Sequence, residues 1–191
     1  MRQAQRHFSV TEYLALEEVS EERHEYYNGE IFAMSGGTLD HNQIALNLHV
    51  SLRTIVPSSC RSFVNDVRVK TPAGLFTYPD FVAVCGQPQF TSDRYRSLIN
   101  PIVICEVLSD STRDYDRGEK FELYRSIPTL RDYLLIDQYT IDVEHRFLVD
   151  AVWDARRHVE PDDLFRLTGV DATLRVAALY ELVDFSAPSH D

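Results

Sequence analysis

FTYPDFVAV (76–84) and IVICEVLSDSTRDYDRGEKFELY (102–124) decide the fold. Each contains an apolar run carrying one acid, Asp80 in the first and Glu106 in the second. IVICEVL (102–108) is apolar on both faces, as a central strand covered on both sides must be. A lone carboxylate in such a strand costs several kcal/mol unless it is paired, hydrogen-bonded or bound to metal. Beyond the strand, Ser111 with Asp114 three residues later is suited to cap a helix running through DYDRGEKFELYRSI (114–127) to a stop at Pro128. Gly118 inside that helix costs about 1 kcal/mol relative to Ala.

The flanking sequence supplies the rest of the fold. Ser9-Val10-Thr11-Glu12 fits a capping box, and a short helix is predicted from it to about Val19. HEYY (24–27) and EIFAM (30–34) flank Asn28-Gly29, a strong hairpin signal. Ser35 to Thr38 reads as a loop. Apolar residues then recur at helical spacing from Leu39 to Val56, with Pro57 as the stop. FVNDVRVK (63–70) and LFTYPDFVAV (75–84) predict a second hairpin around Thr71–Gly74, followed by a polar loop over 86–100. DYLLIDQ (132–138) and DVEHRFLV (142–149) read as strands, and VAALYELVDF (176–185) as a closing helix. Strands interspersed with helices on a mixed sheet predict an α/β or α+β fold, in one domain spanning 1–191.

Composition narrows the function. The 191 residues are 44% hydrophobic and 26% charged, as in ordinary globular proteins, and no apolar run has the roughly 20 residues of a membrane span. MRQAQRHFSV has no apolar core of a secretory signal, so a cytoplasmic location without membrane contact is expected. Cys60, Cys85 and Cys105 are an odd number and read as small buried hydrophobes in a reducing compartment. The net charge of −11 argues against non-specific wrapping of nucleic acid. However, residues 51–136 hold 11 basic and 10 acidic side chains, so the middle of the chain repels a polyanion far less than its ends.

No phosphate-binding glycine loop, dinucleotide fingerprint, nucleophile elbow or zinc ligand ladder is present. What remains is carboxylate chemistry. Asp80 and Glu106, on strands able to be neighbours, are either ligands of a hard cation such as Mg²⁺ or buried acids paired with arginines such as Arg68 or Arg113. Of the two lysines, Lys70 lies at the turn end of its hairpin, roughly 17 Å along the strand from Asp80 at ~3.3 Å per residue. Lys120, on the helix after the Glu106 strand, shares a face with Asp116 and Tyr124 at i±4 spacing and can overlie the acids. A solvated Lys120–Asp116 pair is the bland alternative.

Tyr78-Pro79-Asp80, Glu106-Val107-Leu108 and a basic residue beyond resemble the PD-(D/E)XK nuclease superfamily. HEYYNGEI (24–31), GGTLDHN (36–42), YPDFVAV (78–84), EVLSDSTRDYDRGEKFELY (106–124) and IPTLRDYLLID (127–137) more closely resemble its Uma-type restriction endonuclease family, over roughly Phe8 to Trp153. The superfamily pattern places a lysine two residues after the acid. Leu108 stands there instead, and the family's relocated lysine matches Lys120. The resemblance implies a restriction-endonuclease-like core, a mixed central sheet flanked by helices with an N-terminal helix and hairpin, completed by strands and a helix within 154–191. It implies Mg²⁺-dependent hydrolysis of DNA phosphodiesters, with Mn²⁺ as a substitute. Asp80, Glu106 and the Val107 carbonyl would hold the metal, Lys120 would act on the attacking water, and Glu25 would be a further acid at the site. His41, Asp116 and Ser109 would line it. Without the resemblance, Glu25 reads as an exposed strand glutamate and His41 as a core histidine. A homodimer would supply two sites for duplex cleavage. The alternative function is an inactive nuclease-fold module that binds DNA or protein.

Overall fold

The computed structural model describes residues 7–34 and 36–186. Ser35 of the expected loop and the first six residues of MRQAQRHFSV lie outside the described residues. α1 (Val10–Val19) begins at the expected capping box: the Ser9 hydroxyl accepts from the Glu12 amide while Glu12 accepts from the Ser9 amide at 2.8 Å. Its Tyr13 ring stacks on Tyr26 and packs against Phe76, and its hydroxyl donates to the His24 carbonyl at 2.8 Å. This contact anchors β1 (His24–Tyr27), which pairs with β2 (Glu30–Ala33) through Asn28 and Gly29, both at positive φ. Tyr26 faces α1, so the period-two alternation of a strand turns its neighbour Glu25 the other way, inward and buried.

α2 (Leu39–Arg53) stops three residues short of the expected end, in a turn before Pro57. The two runs around Thr71–Gly74 each break into two strands. β3 (Cys60–Val64) and β4 (Val69–Lys70) are separated where Asn65 and Asp66 adopt positive φ. β5 (Phe76–Thr77) and β6 (Phe81–Cys85) are separated at Tyr78-Pro79-Asp80. β4 and β5 join the N-terminal hairpin in a sheet ordered β2-β1-β5-β4, while β3 and β6 enter a larger one. That larger sheet contains β7 (Val103–Leu108), β8 (Asp132–Asp137), β9 (Val143–Val149) and β10 (Val152–His158), in the order β10-β9-β8-β7-β6-β3. Only β7 and β8 are parallel, and every residue of both is buried. The expected central strand and mixed sheet are therefore present.

One face of the large sheet packs α2 and the C-terminal elements through Leu48, Phe81, Cys105, Val107 and Leu174. The other packs the β7–β8 crossover through Val82, Ile104, Leu108, Phe121 and Tyr124. That crossover is not one helix. α3 (Arg113–Arg117) ends at Gly118, whose amide bonds the Asp114 and Tyr115 carbonyls, and α4 (Glu119–Tyr124) restarts there. The N-cap is Thr112, not Ser111, and it makes no side-chain cap. β11 (Leu164–Leu167) and β12 (Ala172–Arg175) form a separate ribbon, and the closing helix is only α5 (Val176–Leu179).

The cysteines depart from expectation. Cys60 and Cys85 lie directly opposite in the β3–β6 register and form a disulfide, leaving Cys105 as a buried free thiol. Pairing depends on strand register, which the spacing of the three residues does not reveal.

Candidate active site

Antiparallel pairing of Phe81 with Cys105 sets Asp80 opposite Glu106, at the point where β6 begins. Glu106 points to the crossover side, where it is 4% exposed. The break at Gly118 re-aims α4 so that Lys120 Nζ lies 3.0 Å from Glu106 Oε1, 2.8 Å from Glu25 Oε1 and 3.3 Å from Asp116 Oδ1. One buried ammonium thus serves three buried carboxylates carried by β1, β7 and α3. The Tyr124 hydroxyl donates to Glu106 Oε1 at 2.7 Å. Thr77 and Tyr115 donate to Glu25 at 2.5 Å and 3.3 Å. The Tyr133 hydroxyl donates to the Asp116 carbonyl at 2.9 Å and fixes the end of α3.

Asp80 occupies the seam between the two faces. Its Oδ2 accepts the Val107 amide at 2.7 Å, and its Oδ1 lies 2.9 Å from His41 Nε2. His41 is presented by the first turn of α2, where Thr38 caps its amide at 3.1 Å and donates to Gln138 at 2.6 Å. Gly37 makes the close approach possible, because a Cβ there would lie 2.7 Å from His41 Cδ2. Among the described residues Lys120 and Asp80 are not an ion pair. Val107 meets Asp80 through its N–H, not through the carbonyl expected to face a metal. Ser109 stays outside the cluster, bonding Ser111 and Thr112 in the turn before α3. The arginine alternative fails: Arg68 bonds Ser97, Tyr78 and the Tyr95 carbonyl, and Arg113 pairs with Asp110 and Asp137.

The electrostatics follow from too many acids around one base. Burial pushes the Glu106 carboxyl well above the usual range; Asp80 and Asp116 reinforce this and Lys120 opposes it. Burial likewise raises Asp116 against the pull of Lys120. At Glu25 burial also raises the pKa, but Lys120 with the Thr77 and Tyr115 hydrogen bonds outweighs it, and the carboxyl titrates below its ordinary value. Burial disfavours the charge on Lys120, yet Glu106, Glu25 and Asp116 hold it well above the usual lysine range. Lys120 is therefore a cation at neutral pH and not a free-amine base. Two of its carboxylates remain without a matching positive charge, a demand met by a proton or by a bound cation.

The sequence of a family described as "Putative restriction endonuclease" (Uma2) matches residues 10–177. The chain belongs to the Uma2 family. The match runs past Trp153 and takes in β10 to β12. Two uncharacterized proteins of Synechocystis sp. are related along most of their length. Sll1609 is 37% identical over 72% of this chain and 78% of its own. Slr1290 is 34% identical over 71% of this chain and 72% of its own. The crystal structure of a putative nuclease belonging to DUF820 from Anabaena variabilis superposes with a TM-score of 0.73, covering 91% of this chain and 98% of that one at 17% identity. This likeness shows a shared fold, a central mixed sheet flanked by helices.

Thr77 and Tyr115 bond Glu25 of the candidate site, and the sequence reading missed them. Both lie within quoted segments, but only the meeting of β1, β5 and α3 shows that they address Glu25.

Proposed function

We propose that this Uma2-family protein is a divalent-metal-dependent endonuclease that hydrolyses DNA phosphodiester bonds at the Asp80–Glu106–Lys120 cluster. The observation that carries the reading is the single buried ammonium held between Glu25 and Glu106, with Asp80 opposite Glu106 across the β6–β7 pair. The donor set fits a hard cation. Asp80 and Glu106 sit at opposed positions of adjacent strands, and the three carboxylates around Lys120 carry more charge than it neutralises. Among the described residues no three acids or histidines are already drawn together in a metal cage, so water and substrate oxygens would complete the shell. Asp80 and Glu106 would hold the ion, with Tyr124 and Lys120 both on Oε1 of Glu106 and so leaving Oε2 to it. The Val107 carbonyl and Glu25 are the further candidates. When bound, Mg²⁺ or Mn²⁺ polarises a non-bridging phosphoryl oxygen and offsets developing charge.

The chain's own groups supply orientation and charge. Lys120, held as an ammonium, would give up one of its three carboxylate contacts to donate to the attacking water or to a phosphoryl oxygen, and so stabilise negative charge as it develops. Tyr124 and Asp116 fix the direction of Glu106 and Lys120. His41 restrains one oxygen of Asp80 while the Val107 amide restrains the other. The test is supercoiled-plasmid nicking with Mg²⁺, Mn²⁺ or EDTA. Wild type should nick only with metal, and Asp80→Asn, Glu106→Gln and Lys120→Met should each lose at least ~100-fold while remaining folded. Undiminished nicking by any of the three refutes the site.

A further inference from the structure

A second feature lies on the same side of the large sheet as the Glu106 cluster. A cavity of about 350 Å³ at the free edge of β3 is lined by Arg61, Phe63, Val67, Phe90, Arg96 and Leu98. Its size is within the ~300–1,000 Å³ of small-ligand sites. Phe63, Val67 and Leu98 pack with Val82 and Ile104, the cluster that also contains Tyr124. The outer wall is a short ribbon in which Phe90 bridges Leu98 and the Thr91 amide donates to the Ser97 carbonyl at 2.9 Å. Asp93 accepts the Tyr95 and Arg96 amides, and Arg96 stands at a φ of 52° with its guanidinium 4.6 Å over the Phe90 ring.

The chemistry of the lining is specific. Among the described residues no carboxylate lines the cavity, although the chain carries a net charge of −11. Among the described residues neither Arg61 nor Arg96 has an acidic partner, whereas Arg94, Arg113, Arg117, Arg157 and Arg166 are all ion-paired. Phe90 remains 38% exposed at the mouth. A partly exposed aromatic ring with one guanidinium over it and a second lining the same cavity, neither paired with an acid, is the combination that stacks a base and binds its phosphate.

Position agrees with the catalytic reading. The Asn65 amide donates to the Asp80 carbonyl, so the far end of β3 touches the proposed site. At ~3.3 Å per residue, Phe63 and Arg61 lie roughly 7 Å and 13 Å farther along the strand, about two to four stacked nucleotides at ~3.4 Å each.

We propose that this cavity is a subsite for an unpaired nucleotide flanking the scissile phosphate: Phe90 stacks the base, and Arg61 and Arg96 bind the adjoining phosphates. The choice of ligand rests on the phosphodiesterase reading. Binding is therefore measured in EDTA, where no cleavage is needed, by anisotropy of a short fluorescein-labelled oligothymidylate against the same strand annealed to its complement. The single strand should bind more tightly than the duplex. Phe90→Leu should weaken it roughly tenfold, and Arg61→Gln and Arg96→Gln should each flatten the salt dependence by about 0.7 in log–log slope. All three positions are exposed or line an open cavity, and unchanged melting temperatures verify the fold. Wild-type affinity in Phe90→Leu with an unchanged salt slope in both arginine variants overturns the subsite. So does equal binding of duplex, or no binding of the single strand. Such a result leaves plasmid nicking intact as evidence for the hydrolytic reading, whereas the expected binding pattern without nicking would refute that reading alone.

Discussion

Replacing Lys120 by Met removes the ammonium from between Glu25, Glu106 and Asp116 while keeping most of the buried stem. Lys120 is 5% exposed, and its three partners are between 3% and 7% exposed, so water cannot take its place cheaply. Breaking a buried pair in this way costs about 3–5 kcal/mol. At ~2–4 °C per kcal/mol for a chain of this size, the melting temperature should fall by ~6–20 °C. The pH dependence is the sharper check. In wild type Glu25 titrates below its ordinary value, so its contribution is present above the usual glutamate range and lost as pH falls through the folded value. Glu106 and Asp116, raised by burial, act in the opposite sense and lose stability as pH rises. Without the ammonium all three carboxyls are raised, so the variant's deficit should be larger at about pH 8 than at about pH 5. Scanning calorimetry of metal-free wild type and variant at both pH values measures this. A variant melting within ~2 °C of wild type at both would show that the cluster is not the tightly coupled charge group described here.

Mg²⁺ at about 100 times its dissociation constant should stabilise wild type by ~2.7 kcal/mol, and Asp80→Asn should abolish that gain; a thermal-shift titration decides it. Gly118→Ala should destabilise the crossover by about 1–3 kcal/mol, since a Cβ there would lie 3.0 Å from the Asp114 carbonyl. Nicking should fall with it as Lys120 is re-aimed. Unfolded, unreduced protein should give one reactive thiol per chain and reduced protein three, and reduction should cost about 2–4 kcal/mol by chemical denaturation. Three thiols without reductant would contradict the Cys60–Cys85 bond.

The parts of the fold legible in the sequence are those governed by short-range physics. Ser9 and Glu12 satisfy each other's amides, Asn28-Gly29 tolerates the positive φ of a tight hairpin, and a strand buried on both faces must read as continuous hydrocarbon. What was not legible depends on partners far away in the chain. Asn65 and Asp66 break a run that looks continuous because β3 must leave one sheet and β4 enter another. β10 is exposed along most of its length, so its apolar spacing gives no strand signal. Gly118 is read as a weak helix residue, whereas its backbone angles end one helix and start the next. The same holds at the cluster. Two acids in apolar strands and a lysine with Asp116 and Tyr124 on its face are visible locally, but Thr77 and Tyr115 acquire a role only when β5 and α3 converge on Glu25.

Carrying the amine on α4 has a consequence for the sheet itself. Position 108 is fully enclosed on β7 beside Ile104 and Tyr133, and there a leucine contributes about 1.5–3 kcal/mol of hydrocarbon burial. An ammonium in that slot would need its own counter-charge on a strand that is buried throughout. Carrying it on α4 leaves β7 to hydrocarbon packing and places the ammonium on a separate element. Leu108 can be tuned for packing, while the break at Gly118 sets the reach of Lys120 without disturbing the ladder beneath it.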